Sequence, residues 1–178
     1  VAVKLASSHP HKSAVDGVQL NVPSGAGVQR AFRTIMDGIA RHDGAESHEG
    51  VMVQPMVRDA VELRISVTED PKFGPIITFG LGGENVELLE ECCSAVTPLT
   101  SRDAVELVQG MRGYPLLAGA EGRDATDVDT ITDLLLRVSM LVEGIPEIAE
   151  IDLNPVFARP GDGGVWIGDA RVKVAETP

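Results

Sequence analysis

Aromatic residues are scarce in this sequence, where they make up 3% of 178 residues. The hydrophobic content of 43% can still form a core, which we expect valine, leucine, isoleucine and alanine side chains to build. The length fits one ordinary domain or two small lobes that share a cleft. No apolar run approaches the length of a membrane span and no signal-peptide pattern is visible, so the sequence predicts no membrane partner.

Positive charge is also in short supply, because 15 lysine and arginine residues stand against 27 acidic ones. The formal net charge of −12 argues against nucleic acid and anionic membranes as partners. It leaves a nucleotide open as a ligand, since Mg²⁺ and local lysines can offset the charge of phosphate groups.

Cysteine occurs only twice, at the neighbouring positions Cys92 and Cys93. Adjacent cysteines fit the preferred disulfide geometry poorly, and the sequence offers no other partner. We therefore expect both to be small buried hydrophobic residues in a reducing compartment, which favours a cytoplasmic protein.

Strand and helix patterns alternate along the chain, which predicts a mixed α/β (α+β) fold. Short apolar or alternating runs predict strands at 1–5, 18–22, 51–54, 61–67, 75–79, 92–96 and 149–154. Apolar residues at helical spacing predict three helices. The first is capped by Ser24 and has the apolar stripe Val28, Phe32, Ile35 and Ile39. The second spans 101–108 and is followed by Gly110, and the third spans 126–142 with the apolar face Ile131, Leu134, Leu135, Val138 and Leu141. Because a strand pattern begins at the first residue without a methionine, we expect the sequence to be a fragment of a longer protein.

Near its end, the chain has an apolar run at 148–156 that acidic and amide residues interrupt. As a strand, this run places Glu150, Asp152 and Asn154 on one face, because side chains alternate with a period of two. Such oxygen-bearing side chains are costly to bury unless a positive group meets them. A turn at 161–164 can return Asp169 beside Asn154, and Mg²⁺ with attached phosphate would suit these oxygens. The alternative is an ordinary surface hairpin whose acidic residues face solvent.

Three further segments carry groups that suit phosphate chemistry, and each has a plainer alternative. Lys4 lies in a strand, where it can reach a phosphate in a cleft or face solvent. His11 lies in a polar loop, where a histidine can act as a base, a ligand or a phosphoryl acceptor, or be solvated. The glycine-rich segment at 80–83 follows a strand, and it can cradle a phosphate or form only a tight turn.

Taken in order, these segments resemble the ATP-grasp domain of NDP-forming acyl-CoA synthetases. That group includes the ADP-forming acetate–CoA ligases and the related halves of bacterial protein lysine acetyltransferases. The residues that carry the resemblance cover nearly the whole chain and are Val3-Lys4-Leu5, His11-Lys12-Ser13, Gly17-Val18, Gly50-Val51-Met52-Val53-Gln54, Val61-Glu62-Leu63, Phe73-Gly74-Pro75, Phe79-Gly80-Leu81-Gly82-Gly83, Pro98-Leu99, Arg112-Gly113-Tyr114-Pro115-Leu116-Leu117 and the stretch 146–155.

The resemblance implies an ATP-grasp fold that holds ATP between two lobes, with residues 1–50 as the remainder of the first lobe and 51–178 as the second. It also implies an acid–CoA ligase (ADP-forming) activity and, as partner, a CoA-binding domain or subunit, or a fused acetyltransferase domain. The implied cofactors are Mg²⁺ and ATP or ADP. The implied site residues are Lys4, Gly82 and Gly83 for the nucleotide, Asn154 and Asp169 with the neighbouring Asp152 for the metal, and His11 as the group that carries the phosphoryl in transit.

Departures from the family pattern support a rival hypothesis. Ala14 and Asp16 differ from the usual loop, in which a glycine stands at position 16, and Ala95 stands where many members carry an arginine. The rival is a catalytically degenerate domain that serves as a structural or regulatory module of a protein lysine acetyltransferase. The intact residues His11, Lys4, Asn154 and Asp169 keep the enzyme as the leading hypothesis.

Overall fold

The computed structural model describes residues 1–6, 17–41, 50–83, 92–122 and 124–175. It divides the chain into two compact units, Val1–Val57 and Arg58–Pro178. The helices are α1 (Gly25–Arg41), α2 (Ser101–Gly110), α3 (Tyr114–Leu117) and α4 (Val128–Gly144). The strands are β1 (Ala2–Leu5), β2 (Val18–Gln19), β3 (Val51–Gln54), β4 (Val61–Asp70), β5 (Gly74–Leu81), β6 (Cys92–Val96), β7 (Ile148–Ala158), β8 (Val165–Ile167) and β9 (Ala170–Val174). The mixed α and β class is therefore confirmed.

The first unit is a three-stranded antiparallel sheet in the order β2-β1-β3, against which α1 packs. Its second strand is shorter than the predicted 18–22, because Asn21 adopts a φ of 56° that takes the backbone out of the extended region. The predicted boundary after residue 50 precedes β3, whereas β3 pairs with β1 and so lies in the first unit. The assignment of the units to lobes of an ATP-grasp fold stays a proposal.

Helix α1 begins as predicted, since the Ser24 hydroxyl accepts a hydrogen bond of 3.2 Å from the amide of Gly27. Its predicted stripe is wrong at Phe32, which is 42% exposed. Small residues take the buried face instead, with Gly27, Ala31 and Gly38 beside Ile35. A Cβ atom at Gly27 would lie 2.9 Å from Val22 Cγ1, so the small residues let the helix backbone approach its neighbours closely.

The second unit contains a six-stranded sheet in which β6, β5, β4 and β7 lie side by side. The outer edge of β7 is divided between two short strands: β8 pairs with Val156–Ala158, and β9 pairs with the part from Ile148 to Leu153. One face of the sheet packs on α2 and α4 in a core that includes Leu63, Ile65, Ile77, Phe79, Leu107, Val108, Ile131, Leu135, Ile151, Leu153 and Val156. We call the opposite face the polar face; its side chains include Glu62, Arg64, Ser66, Thr78, Ser94, Asp152 and Asn154.

The N-terminus of α2 is fixed by a capping box. The Thr100 hydroxyl accepts from the amide of Asp103, and the Asp103 carboxylate accepts from the amide of Thr100 at 2.8 Å. The Thr100 hydroxyl, which also donates to the Asp103 carboxylate at 2.7 Å, and then the Thr100 amide lower the pKa of the Asp103 carboxyl. The Asp103 carboxylate therefore contributes to stability above the pKa that it has in the unfolded chain. This contribution is lost as the pH falls through the pKa of Asp103 in the folded chain. Gly110, predicted to follow the helix, is its last residue.

Helix α4 follows the predicted pattern with a small rotation of its buried face. Leu135 and Val138 are buried as predicted, whereas Leu141 is 41% exposed and Val142 is buried in its place. Asp127 caps the helix by accepting from the amide of Thr130. None of the helices in the described part of the chain is long and apolar enough to cross a membrane.

The two cysteines lie on β6 and point to opposite sides of the sheet. Cys93 pairs with the buried Phe79 and packs against the core, whereas Cys92 is exposed. The prediction that both are buried is therefore wrong for Cys92, because successive side chains on a strand alternate between faces.

We expect Leu135→Ala to lower the free energy of unfolding by about 2–5 kcal/mol, because it deletes buried atoms and leaves a cavity. The Leu135 side chain is 0% exposed, whereas Met140 on the same helix is 73% exposed. Met140→Ala is therefore the matched control, for which we expect little change. Urea denaturation followed by circular dichroism measures both. Equal losses in the two variants would contradict the assignment of the buried face.

Candidate functional site

An irregularity in the pairing of β4 with β7 defines the candidate site. Leu63 pairs with Val156 and Ile65 pairs with Leu153, so two residues of β7, Asn154 and Pro155, stand opposite Arg64 alone. This is the residue count of a β-bulge, which bends a strand and changes the direction of its side chains. The bulge lies at the place where β8 gives way to β9 along the edge of β7.

The residues between β8 and β9 bond directly to the bulge. The amide of Asn154 donates to the carbonyl of Asp169 at 3.2 Å, and the amide of Gly168 donates to the carbonyl of Pro155 at 2.8 Å. The prediction that the chain returns Asp169 beside Asn154 is therefore confirmed. The return differs from a simple hairpin, because β8 and β9 lie one after the other along β7 and Gly168-Asp169 joins them.

Asp152 belongs to the same face but already has a cationic partner. Its Oδ1 accepts from Arg64 Nε at 2.9 Å, and the side chains of Arg64 and Asp152 are 44% and 29% exposed. The sequence indicated that a positive group must meet these oxygens, and for Asp152 that group is Arg64. Alternation along β4 predicts that Arg64 lies on the face of the sheet opposite to that of Leu63 and Ile65. Its partner could not be predicted, because nothing in the sequence shows that β4 pairs with β7.

The oxygen donors at the bulge fit a magnesium ion. The hydrogen bond between the backbones of Asn154 and Asp169 lies one position beyond the pair Leu153–Ala170. In a continued antiparallel register, side chains at such positions share a face with Cβ atoms about 4.5–5.5 Å apart. An amide oxygen and one carboxylate match the usual Mg²⁺ site, in which one or two carboxylates act together with phosphate oxygens. Among the described residues, no group of three or more His, Cys, Asp or Glu side chains is placed to hold a metal. An ion here would therefore take its remaining ligands from water or phosphate.

Gly82 and Gly83 have a packing reason that is independent of any ligand. The amide of Gly82 donates to the carbonyl of Glu62 at 2.7 Å, and a Cβ atom at Gly82 would lie 2.6 Å from the carbonyl oxygen of Leu63. Gly83 has a φ of +96°, and a Cβ atom there would lie 3.0 Å from Glu62 Oε2. Gly82 is thus required by its close approach to the backbone of β4 and Gly83 by its positive φ, and their role towards phosphate stays a prediction.

The other predicted residues belong to the first unit, to the core face of the second unit, or to the part of the chain outside the described residues. Lys4 is a half-buried residue of β1 in the first unit, where it pairs with Val18 and Met52. His11, Ala14 and Asp16 lie outside the residues that the structure describes. Ala95 pairs with the buried Ile77 and packs against the core, so the alanine removes no cation from the polar face.

Comparisons with known proteins give matches over nearly the whole chain. A family model described as ATP-grasp domain matches residues 1–174. The β subunit of ADP-forming acetate–CoA ligase II from Pyrococcus furiosus is 40% identical over 175 residues, which are 97% of this chain and 74% of that subunit.

Two solved structures of acetyl-coenzyme A synthetase 1 from Ca. Korarchaeum cryptofilum match over most of the chain. One, in complex with coenzyme A and Ca-AMPCP, has a TM-score of 0.90 at 38% identity and covers 97% of this chain and 75% of its own. The other contains coenzyme A and Mg-AMPPCP, and its phosphohistidine segment points towards the nucleotide binding site. It has a TM-score of 0.78 at 36% identity and covers 98% of this chain and 76% of its own.

We expect Gly168→Ala to destabilise the second unit by about 1–3 kcal/mol, because overpacking forces neighbouring atoms to move. A Cβ atom at Gly168 would lie 2.5 Å from Cε2 of the Phe157 ring and 3.1 Å from the carbonyl oxygen of Pro155. Thermal unfolding followed by circular dichroism measures the loss.

Two variants make this test specific. Gly144→Ala is the control, since nothing lies within 4 Å of a Cβ atom at that position. Phe157→Val in the Gly168→Ala background removes the ring and should recover part of the loss relative to Phe157→Val alone. Full stability of Gly168→Ala would show that the segment joining β8 and β9 is not held as closely as the structure describes.

Proposed function

We propose that this chain transfers a phosphoryl group between ATP or ADP and a phosphohistidine, because it belongs to the ATP-grasp domain family and, within it, to the NDP-forming acyl-CoA synthetases. The reaction of the whole protein is then acyl-CoA, ADP and phosphate to acid, CoA and ATP, or the reverse. The similarity to an ADP-forming ligase favours this enzyme over a regulatory module of an acetyltransferase. We propose a CoA-binding domain or subunit as its partner and the cytoplasm as its location.

The observation that carries the proposal is the pairing of Asn154 with Asp169 at the bulge. Both residues are half-buried on rigid backbone, so their oxygens are held in place before a ligand arrives. Mg²⁺, when bound, supplies positive charge for the oxygens of the transferred phosphoryl group. Asn154 and Asp169 would hold the metal at the nucleotide phosphates, and Lys4 would add a point charge towards phosphate.

His11 is proposed as the residue that carries the phosphoryl group. Its neutral imidazole nitrogen would attack the γ-phosphorus of ATP, so that an N–P bond forms as the bond to the bridging oxygen breaks. ADP leaves with that electron pair, and the phosphoryl group remains on the ring nitrogen. A covalent intermediate of this kind divides one difficult transfer into two easier ones. In the reverse direction, ADP takes the phosphoryl group from the histidine.

Incubation of the full-length protein with Mg²⁺ and radiolabelled ATP should place an acid-labile phosphate on the chain. His11→Ala should abolish the label, whereas His9→Ala, which replaces a histidine two positions earlier in the sequence, should retain it. Asp16→Gly should raise the labelling if this aspartate weakens binding of the phosphates. An unlabelled wild-type protein that nevertheless binds nucleotide would decide for the degenerate, regulatory hypothesis.

Calorimetry with Mg–ADP on the full-length protein tests the site residues. We expect Asn154→Ala and Asp169→Ala to weaken binding by about tenfold or more, since even an outer-shell change at a metal site costs about 10–100-fold. Lys4→Ala should weaken binding through the loss of one positive charge. Asp133→Asn, an acidic residue in an exposed ion pair on α4, is the control. Unchanged affinity in Asn154→Ala and Asp169→Ala would remove the bulge from the binding site.

A further inference from the structure

Arg64 lies on the polar face across from Asn154, one of the two residues proposed to hold the metal. The bulge places it opposite Asn154 and Pro155, and its Nε atom donates to Asp152 at 2.9 Å. Asp152 and Asn154 are two residues apart on β7 and so share a face. The guanidinium group of Arg64 therefore lies beside the acidic face of β7, next to the bulge.

The ion pair determines how many ligands β7 can offer to a cation. With Asp152 Oδ1 engaged by Arg64, the bulge presents Asn154 and Asp169 as its ligands. Without that engagement, a third oxygen-bearing side chain stands on the same face and the local charge is more negative by one unit. The affinity of an oxygen site for a hard cation rises with the charge and number of its ligands.

We infer that Arg64 is a positioning residue that keeps Asp152 out of the metal shell, so that the bulge binds a metal–nucleotide complex in preference to the free metal ion. The inference rests on the proposed function, because it assumes that Asn154 and Asp169 hold the metal of a nucleotide complex. It adds to that function a role for Arg64 and a preference for the metal–nucleotide complex over the free ion, neither of which the two ligands provide alone.

Two effects of opposite sign follow from this arrangement. Loss of the Arg64 charge frees Asp152 as a third ligand, which tightens the binding of a free divalent cation. The same loss makes the face more negative and leaves fewer coordination positions for phosphate, which weakens the binding of an anionic metal–nucleotide complex. A residue with only a structural role would weaken both.

The experiment compares free Mn²⁺, measured by electron paramagnetic resonance, with Mg–ADP, measured by calorimetry, on the full-length protein. Arg64→Met keeps an aliphatic side chain and removes the charge. We expect it to bind Mn²⁺ about threefold tighter or more and Mg–ADP about threefold weaker or more, which is near the upper range for a partly exposed ion pair. Arg64→Lys keeps the charge and should lie closer to the wild type.

Arg171→Met is the matched control. Arg171 stands directly opposite Asp152 on β9 and is exposed, so its replacement removes the same charge from the same neighbourhood without breaking the pair between Arg64 and Asp152. Adding Asp152→Asn to Arg64→Met removes the freed carboxylate and should cancel the gain in Mn²⁺ affinity. Circular dichroism of each variant confirms that it is folded.

The outcomes separate the inference from the proposed function. Equal effects of Arg64→Met and Arg171→Met, or a fall in both affinities with Arg64→Met, would overturn the role of Arg64 while leaving the metal ligands in place. Unchanged Mn²⁺ binding in Asn154→Ala and Asp169→Ala would instead overturn the metal site itself. A gain in Mn²⁺ affinity that the Asp152→Asn replacement cancels would establish the positioning role.

Discussion

The antiparallel pairing of β4 with β7, with its bulge opposite Arg64, is the constraint on which the rest of the second unit depends. On one side of the sheet, this pairing aligns Leu63 with Val156 and Ile65 with Leu153, and these four side chains are part of the core that packs against α2 and α4. On the other side, the extra residue at the bulge brings Asn154 to Asp169 and leaves Arg64 beside Asp152. Core and candidate site are thus two consequences of one register, because a strand displaced by one residue would exchange its buried and exposed faces.

The charges on the polar face are partly balanced by neighbouring groups. Because the chain has a net charge of −12, the binding of an anionic nucleotide would require local positive charge at the site. Arg64 neutralises one carboxylate at the bulge, and a bound metal would balance another. Ala95 lies on the core side of the sheet, so the absence of an arginine there weakens the case for a degenerate domain.

Local patterns in the sequence predicted most of the elements but not their long-range pairing. The strands at 51–54 and 92–96 match β3 and β6 residue for residue, because alternation and flanking turn residues are local properties. The stripe of α1 was wrong at Phe32, since apolar spacing does not reveal that the small residues Gly27 and Ala31 take the buried face. The meeting of Asn154 and Asp169 could be predicted from the turn between them, whereas the pair of Arg64 with Asp152 spans 88 positions of sequence and depends on strand order.

The division of the β7 edge between β8 and β9 separates the candidate site from the loop that precedes it. Asp169 is held beside Asn154 by the register of β9, from the pair Leu153–Ala170 onward. The turn at Gly161–Gly163 precedes β8 and bonds to the segment before α4, where the amide of Gly161 donates to the carbonyl of Ala125 at 2.9 Å. The position of the proposed ligand is therefore set by the pairing of β9 with β7 and not by the turn. The surface turn and the proposed metal ligand are thus anchored by two separate sets of contacts, so that a change in one set does not act directly on the other.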